Sequence, residues 1–166
     1  MAEIEKMKVD PIQSRIIIIP NIFLQIYKRN RWGQRKLFRE IEVRNTICDF
    51  CLDKIRDYFG YPLFGAPPVP KFVAFGTNGS PTSPSMKSLV NEVYRNEISR
   101  RVPGDKQMIY YFNLLDTEAN GYALKEIALC YAVADNEIFS RATFEEIDKD
   151  SGVSVDGQWV YNFASG

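Results

Sequence analysis

Residues 153–163, VSVDGQWVYNF, carry the signal that decides the fold class. The apolar and aromatic side chains of this stretch fall on alternate positions: Val153, Val155, Trp159, Tyr161 and Phe163. Successive side chains of a β-strand point to opposite faces, so this alternation predicts a strand with one buried face. We therefore expect a β-sheet that covers a hydrophobic core on one side.

The segments before this strand also favour β-structure. Three runs rich in aromatic and apolar residues are QMIYYFNLL (107–115), YALKEIALCYA (122–132) and EIFSRATFEEI (137–147). The turn sequence EANG lies between the first two runs, and DKDSG lies between the third run and residues 153–163. Asn120 and Gly121 suit turn positions that need an unusual φ. Strands joined by short turns predict an antiparallel meander.

Two helices are predicted beside the strands. In TICDFCLDKIRDYFG (46–60) apolar residues recur at helical spacing, Thr46 is placed to cap the helix, and Gly60 is placed to end it. Ser83 and Pro84 are typical of the cap and first position of a second helix, over about 84–98. The predicted fold is α+β, a mainly antiparallel sheet or sandwich with two helices packed on it.

The first 44 residues predict a β-rich N-terminal arm, because RIIIIP, NIFLQIYK and LFREIEV each indicate extended structure. We assign residues 1–44 to this attachment arm and residues 45–166 to an α+β domain. YPLFGAPPVP (61–70) predicts an extended connector, since proline neither continues a helix nor donates to a ladder.

Composition argues against several function classes. Twenty-one basic residues balance 21 acidic ones, so no global field attracts nucleic acid or an anionic membrane. The chain has no histidine, the usual activator of serine and cysteine nucleophiles, and shows no convergent catalytic set. We expect no enzyme activity, small-molecule substrate or cofactor.

The start MAEIEKMKVD lacks the layout of a signal peptide, and no apolar run reaches membrane-spanning length, which predicts synthesis in a cytoplasm.

The pair Cys48 and Cys51 in CDFC has the spacing of a zinc or redox motif. A tetrahedral zinc site needs four ligands, and Cys130 is the only other cysteine in a chain without histidine. Both cysteines of the pair fall on the apolar stripe of the predicted helix, which indicates buried free thiols and no metal site.

A local basic patch, KRNRWGQRK (28–36), lies between two predicted strands. Trp32 is the expected apolar anchor of a partner contact, with Arg29, Arg31, Arg35 and Lys36 as its charged rim. Arginines beside an aromatic ring could also follow a phosphate backbone, so a nucleic-acid ligand is the alternative. We favour a protein partner, because no recognised nucleic-acid module surrounds the patch.

The glycine-rich stretch GTNGSPTSPS (76–85) resembles the start of a phosphate loop but lacks its lysine, and Pro81 and Pro84 remove amides that a phosphate needs. We expect this stretch to have a structural role instead, as a support for an ion pair with Glu126. Glu126 lies among apolar neighbours and requires a partner if it is buried. Arg95 of the second predicted helix is the expected partner, with Arg141 as its competitor.

The order of these segments resembles a known family. FVAFGTNGSP, SLVNEVYRNEI, an aromatic strand, EANGYALKEIALCY and EIFSRATFEEIDK follow one another as in the tail-collar fibre domain of tailed bacteriophages. In that family a strand and glycine-rich turn precede a helix, a hydrophobic strand and two further strands. The resemblance covers roughly residues 46–149.

The resemblance implies a non-enzymatic structural protein of a virion, in the tail, baseplate or collar, that anchors fibres or neighbouring tail proteins. The implied partners are other virion proteins and copies of the chain itself in a threefold or sixfold homo-oligomer, and no membrane is expected. A small nucleic-acid-binding protein that uses the basic patch is the less favoured alternative. The alternative position is the capsid, the head-to-tail connector or the base of a head fibre. Because Gly166 directly follows the last predicted strand, we expect an adaptor and not a whole fibre.

Overall fold

The computed structural model describes residues 16–60, 69–131 and 137–165, which form ten β-strands and one α-helix. In chain order they are β1 (Ile16–Arg29), β2 (Arg35–Arg44), β3 (Thr46–Ile47), α1 (Asp49–Gly60), β4 (Phe72–Gly76), β5 (Glu92–Glu97), β6 (Arg100–Gly104), β7 (Gln107–Leu114), β8 (Tyr122–Cys130), β9 (Ile138–Lys149) and β10 (Val153–Ser165).

The strands form two antiparallel sheets that share one hydrophobic core. The first sheet has the order β2-β1-β10-β7-β6, and the second has the order β3-β9-β8-β4-β5. Buried side chains of both sheets belong to the same cluster, and the rings of Phe75 and Phe112 meet edge to face with centroids 6.1 Å apart. The prediction of a mainly antiparallel β-protein is confirmed, in the form of a sandwich of two sheets.

Strand β10 has the predicted alternation and lies at the centre of the first sheet. Val153, Val155, Trp159 and Tyr161 are buried, whereas Phe163 is exposed near the end of the strand. Gly157 continues the inward-facing row, and a Cβ at this position would lie 2.1 Å from the ring of Phe112. Glycine thus lets the aromatic ring lie directly on the backbone of the neighbouring strand.

The predicted boundary at residue 44 does not separate two units. Strand β1 pairs with β10 over 13 positions, and its side chains Ile22, Leu24 and Ile26 lie in the shared core. Residues 16–44 therefore form part of the sandwich, while residues 1–15 of the predicted arm lie outside the described residues. The strand continues through Pro20, because pairing with β2 starts only at Asn21 and a missing N–H on that side breaks no ladder bond.

The second predicted helix, over 84–98, is wrong. Residues 92–97 form β5, which pairs with β4, and the residues before it form turns and irregular structure. Tyr94 and Asn96 pair with inward-facing residues of β4, whereas Arg95 pairs with outward-facing Ala74. Because the edge of β4 offers a complete set of backbone partners, tertiary pairing overrides a helical spacing that rests on a few apolar residues.

Helix α1 is confirmed and begins two residues later than the predicted stripe, because Thr46 and Ile47 form the short strand β3. It is the only helix in the described part of the chain. Phe50 packs edge to face on Phe139 of β9, with centroids 5.2 Å apart. Of the connector predicted over 61–70, all but Val69 and Pro70 lies outside the described residues.

The predicted meander is only partly correct. Four sequential pairs are antiparallel neighbours: β1–β2, β4–β5, β6–β7 and β8–β9. The connection from β7 to β8 crosses between the sheets, so the EANG turn does not close a hairpin. Gly121 has a φ of 87° and Ala119 a φ of 50°, which places the left-handed residues on either side of Asn120.

Candidate functional site

The segment between β4 and β5, residues 77–91, lies across the outer face of the second sheet; we call it the strap. Met86 and Leu89 pack on a small apolar cluster that includes Ala74, Ala128 and Cys130. Thr77 and Asn91 close the base of the strap through side-chain and backbone hydrogen bonds. The strap thereby adds a local third layer to the sandwich.

The carboxylate of Glu126 holds the strap from below. This side chain is fully buried on β8, and the backbone amides of Asn78, Val90 and Asn91 donate to it over 3.3, 3.2 and 2.9 Å. Gly76 is required at this approach, because a Cβ would lie 2.4 Å from Glu126 Oε1. A single carboxylate therefore satisfies amides at both ends of the strap.

Arg141 is the counterion of Glu126. Its Nε and Nη2 lie 2.9 and 2.8 Å from Glu126 Oε2, and both side chains have no exposed surface. Its Nη1 donates to the carbonyl oxygens of Ser80 and Pro81 at 3.1 and 3.3 Å. The buried charges are thus compensated by each other and by the strap backbone, as a buried pair requires.

The predicted ion-pair residues are therefore brought together only in part. Glu126 pairs with Arg141, which was the competitor, while Arg95 forms a two-bond pair with Glu92 at 2.7 and 2.6 Å. The preference for Arg95 was wrong because it depended on a helix across the sheet. In β5, Arg95 and Glu92 lie on one strand, where their side chains meet directly.

The basic patch forms the tip of the β1–β2 hairpin, residues 30–34. Asn30 Oδ1 accepts hydrogen bonds from the amides of Trp32 and Gln34 at 3.0 and 2.9 Å, and Gly33 adopts a φ of 78°. Trp32 is 69% exposed, and the guanidinium of Arg31 lies 4.1 Å from its ring centroid. The tip is a turn of defined shape that presents a large aromatic side chain to solvent.

The other three predicted contact residues flank the tip. Arg29 pairs with Asp116, and Arg35 pairs with Asp156 at 2.8 Å while it stacks 3.7 Å from the ring centroid of Tyr27. Lys36 is exposed on β2, opposite Lys28 of β1. The structure therefore places all five predicted contact residues at one end of the hairpin and neutralises two of their charges.

The cysteines of the CDFC motif are free and buried, and so is Cys130. Burial raises the pKa of Cys48 to about 12, of Cys51 to about 11 and of Cys130 to about 12. Protonated thiols are poor nucleophiles and poor metal ligands. Within the described ranges, no group of three or more Cys, Asp or Glu residues is arranged to hold a metal ion, and no helix is long and apolar enough to cross a bilayer.

A groove on the outer face of the first sheet was missed by the sequence analysis. It has a volume of about 950 Å³ and takes residues from all five strands. Phe23, Gln25, Tyr111 and Gln158 are among its lining side chains. The sequence shows only which side chains of each alternating strand point outward. These side chains form one groove only when the order and register of the strands are known.

Comparison of the chain with protein-family models, with curated proteins and with solved structures finds no match in any of the three.

Proposed function

We propose that the protein is a non-enzymatic structural component of a tailed-bacteriophage virion. In this role it is an adaptor in the tail, baseplate or collar that anchors fibres or neighbouring tail proteins. The family resemblance supports this role. The segments that still fit the family pattern are β4 with the glycine-rich turn after it, and the later strands β8 and β9. The segment SLVNEVYRNEI departs from the family pattern, because it forms the end of the strap and β5.

The observation that carries the proposal is the preorganised hairpin tip with an exposed Trp32. Tryptophan and arginine are among the residues that are enriched at the energetic centres of protein interfaces. A turn already held by Asn30 loses little conformational entropy on binding, which leaves more of the contact energy for affinity. The tip therefore suits the attachment of a partner protein.

The local charges favour a protein partner over a nucleic acid. Binding to a phosphate backbone depends on basic side chains that displace counterions. Here Asp116 and Asp156 already pair with Arg29 and Arg35. The remaining cations surround an aromatic anchor, as in the rim of a protein interface.

The strap supports a scaffold role for the region that resembles a ligand loop. Its amides and carbonyl oxygens are directed at the Glu126–Arg141 pair, which occupies the place that a bound anion would take in a phosphate loop. The glycine-rich segment thus holds a charged pair of the protein itself.

Quantitative mass spectrometry of purified particles tests the proposed function. Particles of the virus that encodes the chain are separated into head and tail fractions, and copies of the protein are counted against a tail protein of known stoichiometry. We expect enrichment in the tail fraction, with a copy number that is a multiple of three or six. Enrichment in heads would favour the capsid or connector alternative, and absence from both fractions would refute a virion role.

A further inference from the structure

We propose that the groove on the outer face of the first sheet is a binding site for a short neutral oligosaccharide. We call it the five-strand groove. The inference goes beyond the proposed adaptor function and does not depend on it. It rests on the chemistry and order of the side chains that the sheet register places in the groove.

The register arranges the lining side chains in two parallel rows. In the first row Glu42, Phe23, Gln158, Tyr111 and Arg100 are consecutive cross-strand neighbours. Polar and aromatic side chains therefore alternate from strand to strand across the whole sheet. A pyranose ring has the same dual character, because its C–H faces are apolar and its hydroxyl edges both donate and accept hydrogen bonds.

The two aromatic side chains stand two strands apart. Adjacent strands are separated by about 4.8 Å, so Phe23 and Tyr111 are about 10 Å apart along the groove. The Arg100 guanidinium lies over the Tyr111 ring, 4.3 Å from its centroid. One sugar ring can therefore rest on Phe23, while the hydroxyls of a ring two strands away meet the N–H groups of Arg100. Phe23 is 37% exposed and available for such a contact.

The second row supplies further hydrogen-bonding groups. It consists of Glu40, Gln25, Asp156 and Asn113, again as cross-strand neighbours. Gln25 is oriented by Glu40, to which it donates at 2.8 Å. In the described part of the chain, the side chains of Asn113, Gln158 and Glu42 make no hydrogen bond to protein groups. Amides and carboxylates with unused capacity are the groups that bind sugar hydroxyls.

The charge of the groove selects a neutral ligand. Glu40, Glu42 and Asp156 carry three negative charges, which exceed the charges of Arg100 and of Arg35, the partner of Asp156. Phosphate groups or uronic acids would be repelled by this surplus. A protein partner also fits poorly, because the centres of protein interfaces are depleted of charged residues, whereas three carboxylates line this groove.

Calorimetric titration with cellohexaose, xylohexaose, maltohexaose and mannohexaose tests the proposal, with hexagalacturonate as an acidic probe. We expect at least one neutral hexasaccharide to bind and hexagalacturonate not to bind. Phe23→Ala should weaken that binding at least about tenfold, since it removes one aromatic contact. Gln158→Ala should weaken it about threefold, through the loss of one hydrogen bond. Phe38→Ala is the matched control, because Phe38 is an exposed aromatic residue of the same sheet that lies outside the groove. This variant should bind the hexasaccharide with unchanged affinity.

Three results would overturn the proposal. They are no binding of any neutral probe to the folded protein, binding that Phe23→Ala and Gln158→Ala leave unchanged, and preferential binding of hexagalacturonate. Sedimentation equilibrium of the wild-type and Phe23→Ala proteins adds a fourth, because self-association lost in the variant would identify the groove as a contact between copies.

Discussion

The Glu126–Arg141 pair shows how a single contact can organise a long irregular segment. Removing two charges from water costs several kcal/mol, and their attraction offsets this cost only if the remaining hydrogen-bonding groups are also satisfied. The strap provides those bonds through amides at both of its ends and through the carbonyl oxygens of Ser80 and Pro81. The pair and the strap therefore stabilise each other.

Replacing Glu126 with alanine should lower the free energy of unfolding by about 3 kcal/mol, because it leaves the buried Arg141 guanidinium without a counterion. Urea denaturation followed by tryptophan fluorescence measures the change. Glu146→Ala is the matched control, since Glu146 pairs with Lys125 between the same two strands at an exposed position. Equal effects of the two substitutions would contradict the assigned role of the buried pair.

Gly76 gives an independent test of how closely the strap approaches the sheet. Gly76→Ala should destabilise the protein by about 2 kcal/mol, because the new Cβ overlaps Glu126 Oε1 and the carbonyl oxygen of Asn91. At Gly79 the nearest atom to an added Cβ is 3.6 Å away, on the flexible side chain of Lys125. Gly79→Ala should therefore leave the urea midpoint nearly unchanged, and a loss at Gly79 as large as at Gly76 would argue against this packing.

At the scale of elements, the β1–β2 hairpin divides into a structural ladder and a projecting tip. The ladder belongs to the core through Ile22, Leu24 and Ile26, whereas Trp32 is largely exposed and no residue of the tip belongs to the core cluster. The two parts should therefore respond differently to deletion.

Replacing residues 30–34 with Asn-Gly should change the free energy of unfolding by no more than about 0.5 kcal/mol, since this dipeptide closes a tight hairpin. Removing residues 16–44 should prevent folding, because it deletes both β1 and β2 and leaves one edge of β10 without its partner strand. Circular dichroism and thermal denaturation of the two variants distinguish these effects. A tip replacement that fails to fold would show that the tip belongs to the core.

The elements predicted correctly are those whose signal is local. The alternation in β10 and the apolar spacing in α1 involve residues that are close together in the sequence, so both elements could be predicted from the sequence alone. Strand β5 was missed because Leu89 and Val93, four residues apart, fit the spacing of a helix, and only the edge of β4 offers the backbone partners that favour a strand. The Glu126–Arg141 pair was half predicted, since charge and burial indicate a partner but only the strand register selects which arginine it is.

The whole sandwich buries ionisable groups that charge at alkaline pH. Cys48, Cys51 and Cys130 have pKa values of about 12, 11 and 12 in the folded protein, against 9.0 for an exposed thiol. Burial also raises the pKa values of the Tyr110 and Tyr161 hydroxyls. Each group stabilises the fold fully below its unfolded pKa and loses that contribution as pH rises towards the folded value.

Stability should therefore be nearly constant from about pH 7 to 8 and should fall as pH rises above about 9, where the unfolded state releases thiol protons first. Lys149 acts in the opposite sense, because burial lowers its pKa, but it is a single group against the three thiols and two phenols named above. Urea midpoints measured with a phosphine reductant across this range test the prediction. The triple variant Cys48→Ala, Cys51→Ala, Cys130→Ala should show a shallower decline, and an unchanged slope would exclude the thiols as its cause.

The attachment role of the hairpin tip is the central claim, and particle assembly tests it most directly. Cells infected with a virus lacking its own copy of the gene are supplied with the wild-type protein, the Asn-Gly tip replacement or the Gly79→Ala control. The amount of protein in purified particles is then measured by mass spectrometry. We predict that the wild type and the control are incorporated equally, and that the tip replacement is at least about tenfold depleted although it folds normally. Incorporation of the tip replacement at the wild-type level would contradict the claim.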